Sequence, residues 1–280
     1  MQKFLRLFSP SVKCPVIGMI HIPALPGTPL YRGNFEESLQ IVRKEAEIYK
    51  RSSINAVMIE NMHDIPYVQQ RDLGPETVAT MTRVAVEVRK VLPDTPLGVQ
   101  ILACGNSQAL AVAKAAGCQF IRTEGFVFNH IADEGFVDAC AGSLLRYRRS
   151  IDAESVAVLT DVKKKHSSHA ITEDLSLLET AKAAEFFLSD GVIVTGSATG
   201  DPVKPNDLDD LSGKLNIPVL IGSGATLNNV SEYFPKCQGI IVGSHFKKSG
   251  NWDDELCPDR IDSFMRRISE LRGYKFINIK

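Results

Sequence analysis

An apolar run that stops on a charged or hydrogen-bonding side chain is how a buried strand delivers a functional group, and this chain does so repeatedly. His21 closes the run 16–21, Glu60 and Asn61 follow 56–59, and Glu124 stands just beyond 120–123. Asp161 closes 156–161 with Lys163, Lys165 and His166 behind it, and Thr195 closes 191–195. Two further runs, 219–221 and 240–242, end on Gly222-Ser223-Gly224 and on Gly243-Ser244. These types allow two kinds of chemistry. Glu60 and Asp161, confined with a cation and an imidazole, can serve as general acid and base, or as oxygen ligands for a divalent cation such as Mg2+. With His21 and Lys163 they form the candidate catalytic set. Glycines have no Cβ, so a sharply turned loop can bring backbone N–H groups close to an anion. Gly222, Ser223, Gly224, Gly243 and Ser244 are therefore the candidate phosphate-binding residues. Asn61, Arg122, Glu124, Lys165, His166 and Thr195 complete the expected mouth of the site.

Each of these residues also has a structural reading. Glu60 and Asp161 could cap or ion-pair with the next segment, His21 could be a satisfied mouth histidine, and the glycines could serve tight turns alone. Two adjacent Gly-Ser endings are more than turns require, which favours the anion. The run Lys163-Lys164-Lys165-His166 reads as a solvated loop from which one lysine reaches inward. His166 and His169 are three apart and lack the context of a zinc helix. Cys104 reads as a small packed residue rather than a nucleophile. Asp133 and Glu134 lie in a fourth loop long enough for a lid, and a solvated face is their expected place.

Eight strand–helix units are needed to hold these groups, and the chain supplies them. Apolar runs at 16–21, 56–60, 97–102, 120–123, 156–161, 191–195, 219–221 and 240–242 alternate with segments of helical spacing. Those segments are 34–49, 75–91, 106–116, 143–151, 174–187, 206–215, about a dozen residues after 229, and 259–271. Asn34 and Asn106 are expected caps, Pro75 a helix start, and Thr226 or Asn228 the cap of the seventh helix, setting its positive end beside the glycine loop. Residues 124–138 form a long excursion. Alternation alone also permits an open doubly wound sheet. The count of eight and the anion-type ends of the last two units favour a (β/α)8 TIM barrel with phosphate-binding loops after strands 7 and 8. One barrel domain over residues 1–280 is the expectation, since such barrels typically take roughly 250 residues.

Bulk properties narrow the function. With 32 Lys and Arg against 33 Asp and Glu, the net charge is −1, so no basic field invites nucleic acid or an anionic membrane. No apolar run approaches the ~18 residues of a membrane span. Six scattered cysteines without a C-x-x-C pair indicate reduced thiols in a reducing compartment, mitochondrial matrix or cytoplasm. Residues 1–13 are basic and acid-free, either a short targeting segment or a helix that closes the barrel floor.

Several strings carry a resemblance over roughly residues 15–272. They are Met19-Ile20-His21-Ile22-Pro23-Ala24-Leu25-Pro26-Gly27, Ile59-Glu60-Asn61, the run 75–82, Phe120-Ile121-Arg122 and Leu145-Arg146-Tyr147-Arg148. Asp161-Val162-Lys163-Lys164-Lys165-His166, the run 195–200 and Gly222-Ser223-Gly224-Ala225-Thr226 complete them. Together the chain resembles the BtpA family. The resemblance implies a TIM barrel related to the ribulose-phosphate-binding group, whose members commonly pair as homodimers, and a family named for photosystem I biogenesis. No established reaction comes with it. Where bacterial members tend to carry Asn-Asp after the third strand, this chain has Cys104-Gly105. Two functions follow. One is a lyase, isomerase or hydrolase acting on a small phosphorylated ligand such as a sugar phosphate or nucleotide. The other is a non-catalytic biogenesis or stability factor for a larger complex. Charged groups at strand ends favour the enzyme, because burying them is costly unless they are paired.

Overall fold

The computed structural model describes residues 3–196 and 199–273. Residues 1 and 2 of the basic N-terminal segment, and Ser197 and Ala198 of the string after the sixth barrel strand, lie outside the described residues. Eight parallel strands close into a barrel: β1 (Val16–His21), β2 (Ala56–Glu60), β3 (Leu97–Gln100), β4 (Phe120–Thr123), β7 (Ala157–Asp161), β9 (Gly191–Val194), β10 (Val219–Ile221) and β11 (Gly239–Val242). β11 pairs back onto β1 through Val16 and Ile240. The helices between them are α1 (Phe35–Arg51), α2 (Pro75–Val91), α3 (Asn106–Ala116), α4 (Ala141–Ser150), α5 (Leu177–Phe186), α6 (Pro205–Leu211) and α7 (Val230–Tyr233), with α8 (Pro258–Leu271) last. A hairpin, β5 (His130–Ala132) and β6 (Gly135–Val137), pairs with the short β8 (Ser167–Ser168) in a separate three-stranded sheet.

Two-residue periodicity sorts the strand side chains. Val57, Ile59, Val99, Ile121, Val158 and Val192 belong to the apolar layer between barrel and helices. Ile17, Met19, Ala56, Met58, Phe120, Leu159, Ile193, Leu220 and Ile241 fill the barrel interior instead. A Cβ on Gly98 would lie 2.1 Å from the Phe120 ring, so the missing side chain is the space Phe120 occupies. Beneath it Phe4 is fully buried, edge-on to Phe120 with ring centroids 5.5 Å apart. The N-terminal segment thus closes the barrel floor, with one 3-10 turn, Leu5–Leu7, rather than a helix.

Local chemistry explains where the expected boundaries moved. Asn34 caps α1 as anticipated, its side chain accepting from the Glu37 N–H at 3.2 Å. β3 stops at Gln100 because Asn61 Oδ1 takes the Leu102 N–H at 2.7 Å, while its Nδ2 donates to the Leu102 carbonyl. Asn106 does not cap α3. Its amide brackets residue 124 instead, donating to the Glu124 carbonyl at 2.7 Å and accepting from the Glu124 N–H at 3.3 Å. α5 starts later than expected, at a capping box between Ser176 and Glu179. The dozen-residue seventh helix is a single turn. Neither Thr226 nor Asn228 caps it, and Asn229 instead accepts from the Thr226 N–H at 2.8 Å and donates to the Gly224 carbonyl at 2.9 Å.

Candidate active site

The inward-facing side chains continue past the hydrophobic interior to a mouth at the carboxyl ends of the strands. There His21, Glu60, Gln100, Arg122, Asp161, Gly222 and Gly243 line a cavity of about 390 Å³. Strand register sets the first of them side by side: His21 lies opposite Glu60, and Glu60 opposite Gln100.

Burial sets the protonation of the first pair. The His21 ring places Nδ1 2.9 Å from the Trp252 carbonyl, so Nδ1–H donates there and Nε2 turns toward Glu60, 3.7 Å from Oε2. Desolvation, helped by the Lys247 charge, lowers the imidazole to about 3. Desolvation raises the Glu60 carboxyl to about 7, against the pull of Arg122 and Lys165. A neutral imidazole thus faces a carboxyl that is half-protonated near neutrality.

Arg122 lies across the cavity floor. Its Nε donates to both Asp161 oxygens at 3.1 Å, Nη2 lies 3.0 Å from Oδ1, and Nη1 reaches the Gly222 carbonyl at 3.5 Å. Burial raises the Asp161 carboxyl, with Arg122 holding it back. Beside this pair, Lys164 Nζ meets Glu124 Oε1 at 3.2 Å, and Glu124 Oε2 accepts the Cys104 N–H at 3.0 Å. Although burial opposes it, these contacts hold Glu124 below the ordinary carboxylate range. Lys165 sits between the two pairs, its N–H on Thr195 Oγ1 and its Nζ on Thr199 Oγ1, both at 3.3 Å. Burial, then the neighbouring Arg122 charge, lowers its ammonium.

The glycine loops form the opposite wall. Gly224 has φ +68°, and a Cβ there would lie 2.0 Å from the Asp201 carbonyl oxygen, so this glycine lets two loops pack backbone to backbone. Ser223 Oγ accepts from the Gly196 N–H at 3.0 Å and donates to the Asp201 carbonyl at 3.3 Å, so the hydroxyl is occupied. Among the described residues, the N–H groups of Ser223, Gly224, Ala225, Gly243 and Ser244 donate to no protein acceptor. The expected helix end is missing from this wall, since α7 is one turn beginning six residues beyond Gly224. Arg260 lines the same side, anchored by Nε to the His245 carbonyl at 2.6 Å.

The structure gathers most of the expected site and redistributes the rest. His21, Glu60, Glu124, Asp161, Lys165, His166, Gly222, Ser223, Gly224, Gly243 and Ser244 all line the cavity. Lys163 does not. It lines a separate pocket of about 20 Å³, its Nζ on the Thr172 carbonyl at 3.4 Å, and Lys164 enters the mouth instead. Asn61 is fully buried beside β3, bonded to Asp64 and Leu102, and Thr195 acts through the Lys165 backbone. Asp133 and Glu134 both reach the cavity wall; Asp133 is exposed, as expected, while one Glu134 oxygen is buried. Arg122, expected among the polar strand ends, is on the wall, whereas Gln100, Trp252 and Arg260 were not expected. Period-two counting from Gly98 would have found Gln100, but Trp252 and Arg260 arrive from a loop and from α8.

The donor set does not fit a divalent cation such as Mg2+. Both Asp161 oxygens are taken by Arg122, burial favours the proton on Glu60, and among the described residues no three His, Cys, Asp or Glu side chains form a metal-binding group.

The architecture is that of a TIM barrel with a polar mouth, and solved structures agree. Thiamine phosphate pyrophosphorylase from Pyrococcus furiosus superposes with a TM-score of 0.54 over 93% of this chain and 97% of that one, at 15% identity. Residues 12–270 match the model of the BtpA family, and the chain belongs to that family. It is 48% identical to an uncharacterised mitochondrial protein of Caenorhabditis elegans, covering 92% of this chain and 94% of that one. It is 32% identical to the photosystem I biogenesis protein BtpA of Synechocystis, covering 91% and 88%. Among the described residues no helix is long and apolar enough to cross a membrane.

Proposed function

We propose that this protein is an enzyme that moves a proton on a small phosphorylated metabolite bound in the barrel mouth. The observation that carries the reading is Glu60, a buried carboxyl raised to about 7 beside a neutral histidine. A base whose pKa matches the working pH maximises both its ionised fraction and its driving force. Ionised Glu60 would take a proton from carbon next to a carbonyl, or from a hydroxyl, and His21 Nε2 offers the adjacent acceptor site. Lys165 would stabilise the negative charge that develops on substrate oxygen. This is isomerase or lyase chemistry in preference to hydrolysis. The phosphate would sit against the free N–H groups of the loops after β10 and β11, with Arg260 nearby. A backbone grip needs no helix dipole and orders no side chain, which supports the anion reading despite the short α7.

The deciding experiment is turnover across phosphorylated sugars and nucleotides, by NMR in deuterated water so that exchange at carbon is seen without net reaction. Exchange or conversion that disappears in Glu60→Gln supports the proposal. A panel that neither binds nor exchanges overturns it. The name of the Synechocystis relative supports a second reading, an assembly factor, for which a stable complex with a larger protein assembly and no small-ligand binding is the expected result. The mitochondrial name of the nematode relative supports a mitochondrial location over the cytoplasm, and imaging of the C-terminally tagged protein decides it.

A further inference from the structure

The wall facing the glycine loops carries two oxygen atoms that the protein leaves without partners. Gln100 is 3% exposed at the end of β3 and lines the cavity, yet its Oε1 makes no hydrogen bond. Glu134, at the tip of the β5–β6 hairpin, also lines the cavity, and its Oε2 is buried and unpartnered. Its position is fixed: Gln69 Nε2 donates to the Glu134 carbonyl at 2.6 Å. Buried polar atoms are nearly always paired, and one left open costs about 1–3 kcal/mol. Two such atoms in one cavity wall are what a site looks like before its ligand supplies the donors.

Their place in the barrel gives the ligand its shape. Closed in the order β1-β2-β3-β4-β7-β9-β10-β11, the barrel sets β3 opposite β10 and β4 opposite β11. Gln100 and the hairpin that follows β4 therefore stand across the mouth from the free N–H groups of the last two loops. Charge divides the same way. With Arg122 committed to Asp161 and Lys164 to Glu124, the cations left along the wall are Lys165 and Arg260, on the β7-to-β11 half. The acids left are Glu60, Asp133 and Glu134, on the β2-to-β4 half.

Building on the proposed phosphate site, we infer that the substrate is bipolar: a phosphate at one end and, at the other, a nitrogen head bearing N–H donors. An amine, amide or aminated ring at that end donates to Gln100 Oε1 and Glu134 Oε2, and the reacting carbon between the two ends lies over Glu60 and His21. Gln100 and Glu134 are on this view specificity-determining residues with no part in the phosphate grip.

Calorimetry with phosphate monoesters paired amino against hydroxyl tests this, for example glucosamine 6-phosphate with glucose 6-phosphate and phosphoethanolamine with 2-hydroxyethyl phosphate. The amino member of a pair should bind at least about tenfold more tightly, the worth of one hydrogen bond to a buried charge. In Gln100→Met and Glu134→Ala the preference should shrink to about twofold or less, with affinity for inorganic phosphate unchanged. Gln100→Met should also keep or raise the wild-type Tm, because it removes an unpartnered buried carboxamide. Equal binding of both members of every pair, or a Gln100→Met protein that melts several degrees lower and keeps the amino preference, overturns the inference. Inorganic phosphate that fails to bind at all also overturns the phosphate reading beneath it, so the two failures are told apart.

Discussion

His21 and Glu60 face each other from adjacent strands, Nε2 to Oε2 at 3.7 Å, in an arrangement that is an ion pair by distance and not by charge. Burial moves the two groups in opposite senses, the imidazole down to about 3 and the carboxyl up to about 7. Each shift changes stability with pH, and the signs oppose.

Stability measured against pH should reveal both. Glu60 binds its proton more tightly folded than unfolded, so its contribution is full below the unfolded value of 4.5 and is lost as pH rises through 7. His21 binds its proton less tightly folded, so its contribution is full above 6.5 and is lost as pH falls toward 3. Between these limits the slopes offset in the wild type. Glu60→Gln should uncover a stability that rises with pH up to 6.5, and His21→Asn one that falls between about 4.5 and 7. At most the effects are on the order of 3 kcal/mol for Glu60 and 5 kcal/mol for His21. Denaturant midpoints of both variants across this range would check it, and parallel profiles would show that neither group is shifted.

How much of this was legible beforehand differs between strands and loops. Strand ends announce themselves, because a period of two fixes which side chains face inward. His21, Glu60, Asp161 and Gly222 were therefore placed in the mouth from the sequence. Arg122 obeys the same rule and was placed there too, whereas Gln100 was hidden by reading β3 two residues too long. Loops carry no such period. Of three consecutive lysines, only the fold decides that Lys164 and Lys165 enter the mouth while Lys163, at φ +48°, turns to the neighbouring pocket. Trp252 and Arg260 lie beyond the last strand, where no motif marks them.

Asp161 should prove a structural residue as well as a site residue. Its bidentate contact with Arg122 is almost wholly buried, and removing one partner leaves the other charge unpaired. Asp161→Ala should cost about 3–5 kcal/mol, as breaking a buried pair does, while Asp161→Leu combined with Arg122→Met should recover most of the loss. Chemical denaturation of the two singles and the double would measure the coupling. A fully stable Asp161→Ala protein would mean that water or a bound anion already compensates Arg122.

Phe4 should matter more than its place near the N-terminus suggests. Fully buried against Phe120, it seals the end of the barrel remote from the mouth. Phe4→Ala should cost about 3–5 kcal/mol, as for other buried aromatics. Ligand affinity should stay at the wild-type value, because the mouth lies at the opposite end. A variant that melts like the wild type would show that the floor is sealed without this side chain.

Gly224 and Gly243 should respond differently to the same methyl group. Gly224 has φ +68°, and its Cβ would strike backbone on both sides, Asp201 O at 2.0 Å and Pro202 Cα at 2.4 Å. Gly224→Ala should therefore destabilise by more than the about 1–2 kcal/mol of a left-handed alanine, and loss of binding there would say nothing about ligand. Gly243 has φ −109°, outside the left-handed region, and its Cβ would lie 3.2 Å from His21 Cε1 and Nε2. A ring can give by a few tenths of an ångström where a carbonyl cannot. Gly243→Ala should keep its Tm within a few degrees while placing a methyl between the loop and His21. If phosphate binds that loop, the thermal shift it induces, RT ln(1 + [L]/Kd) in free energy, should shrink in Gly243→Ala. An undiminished shift would place the anion elsewhere in the mouth, with Arg260 and Lys165 the remaining cations to hold it.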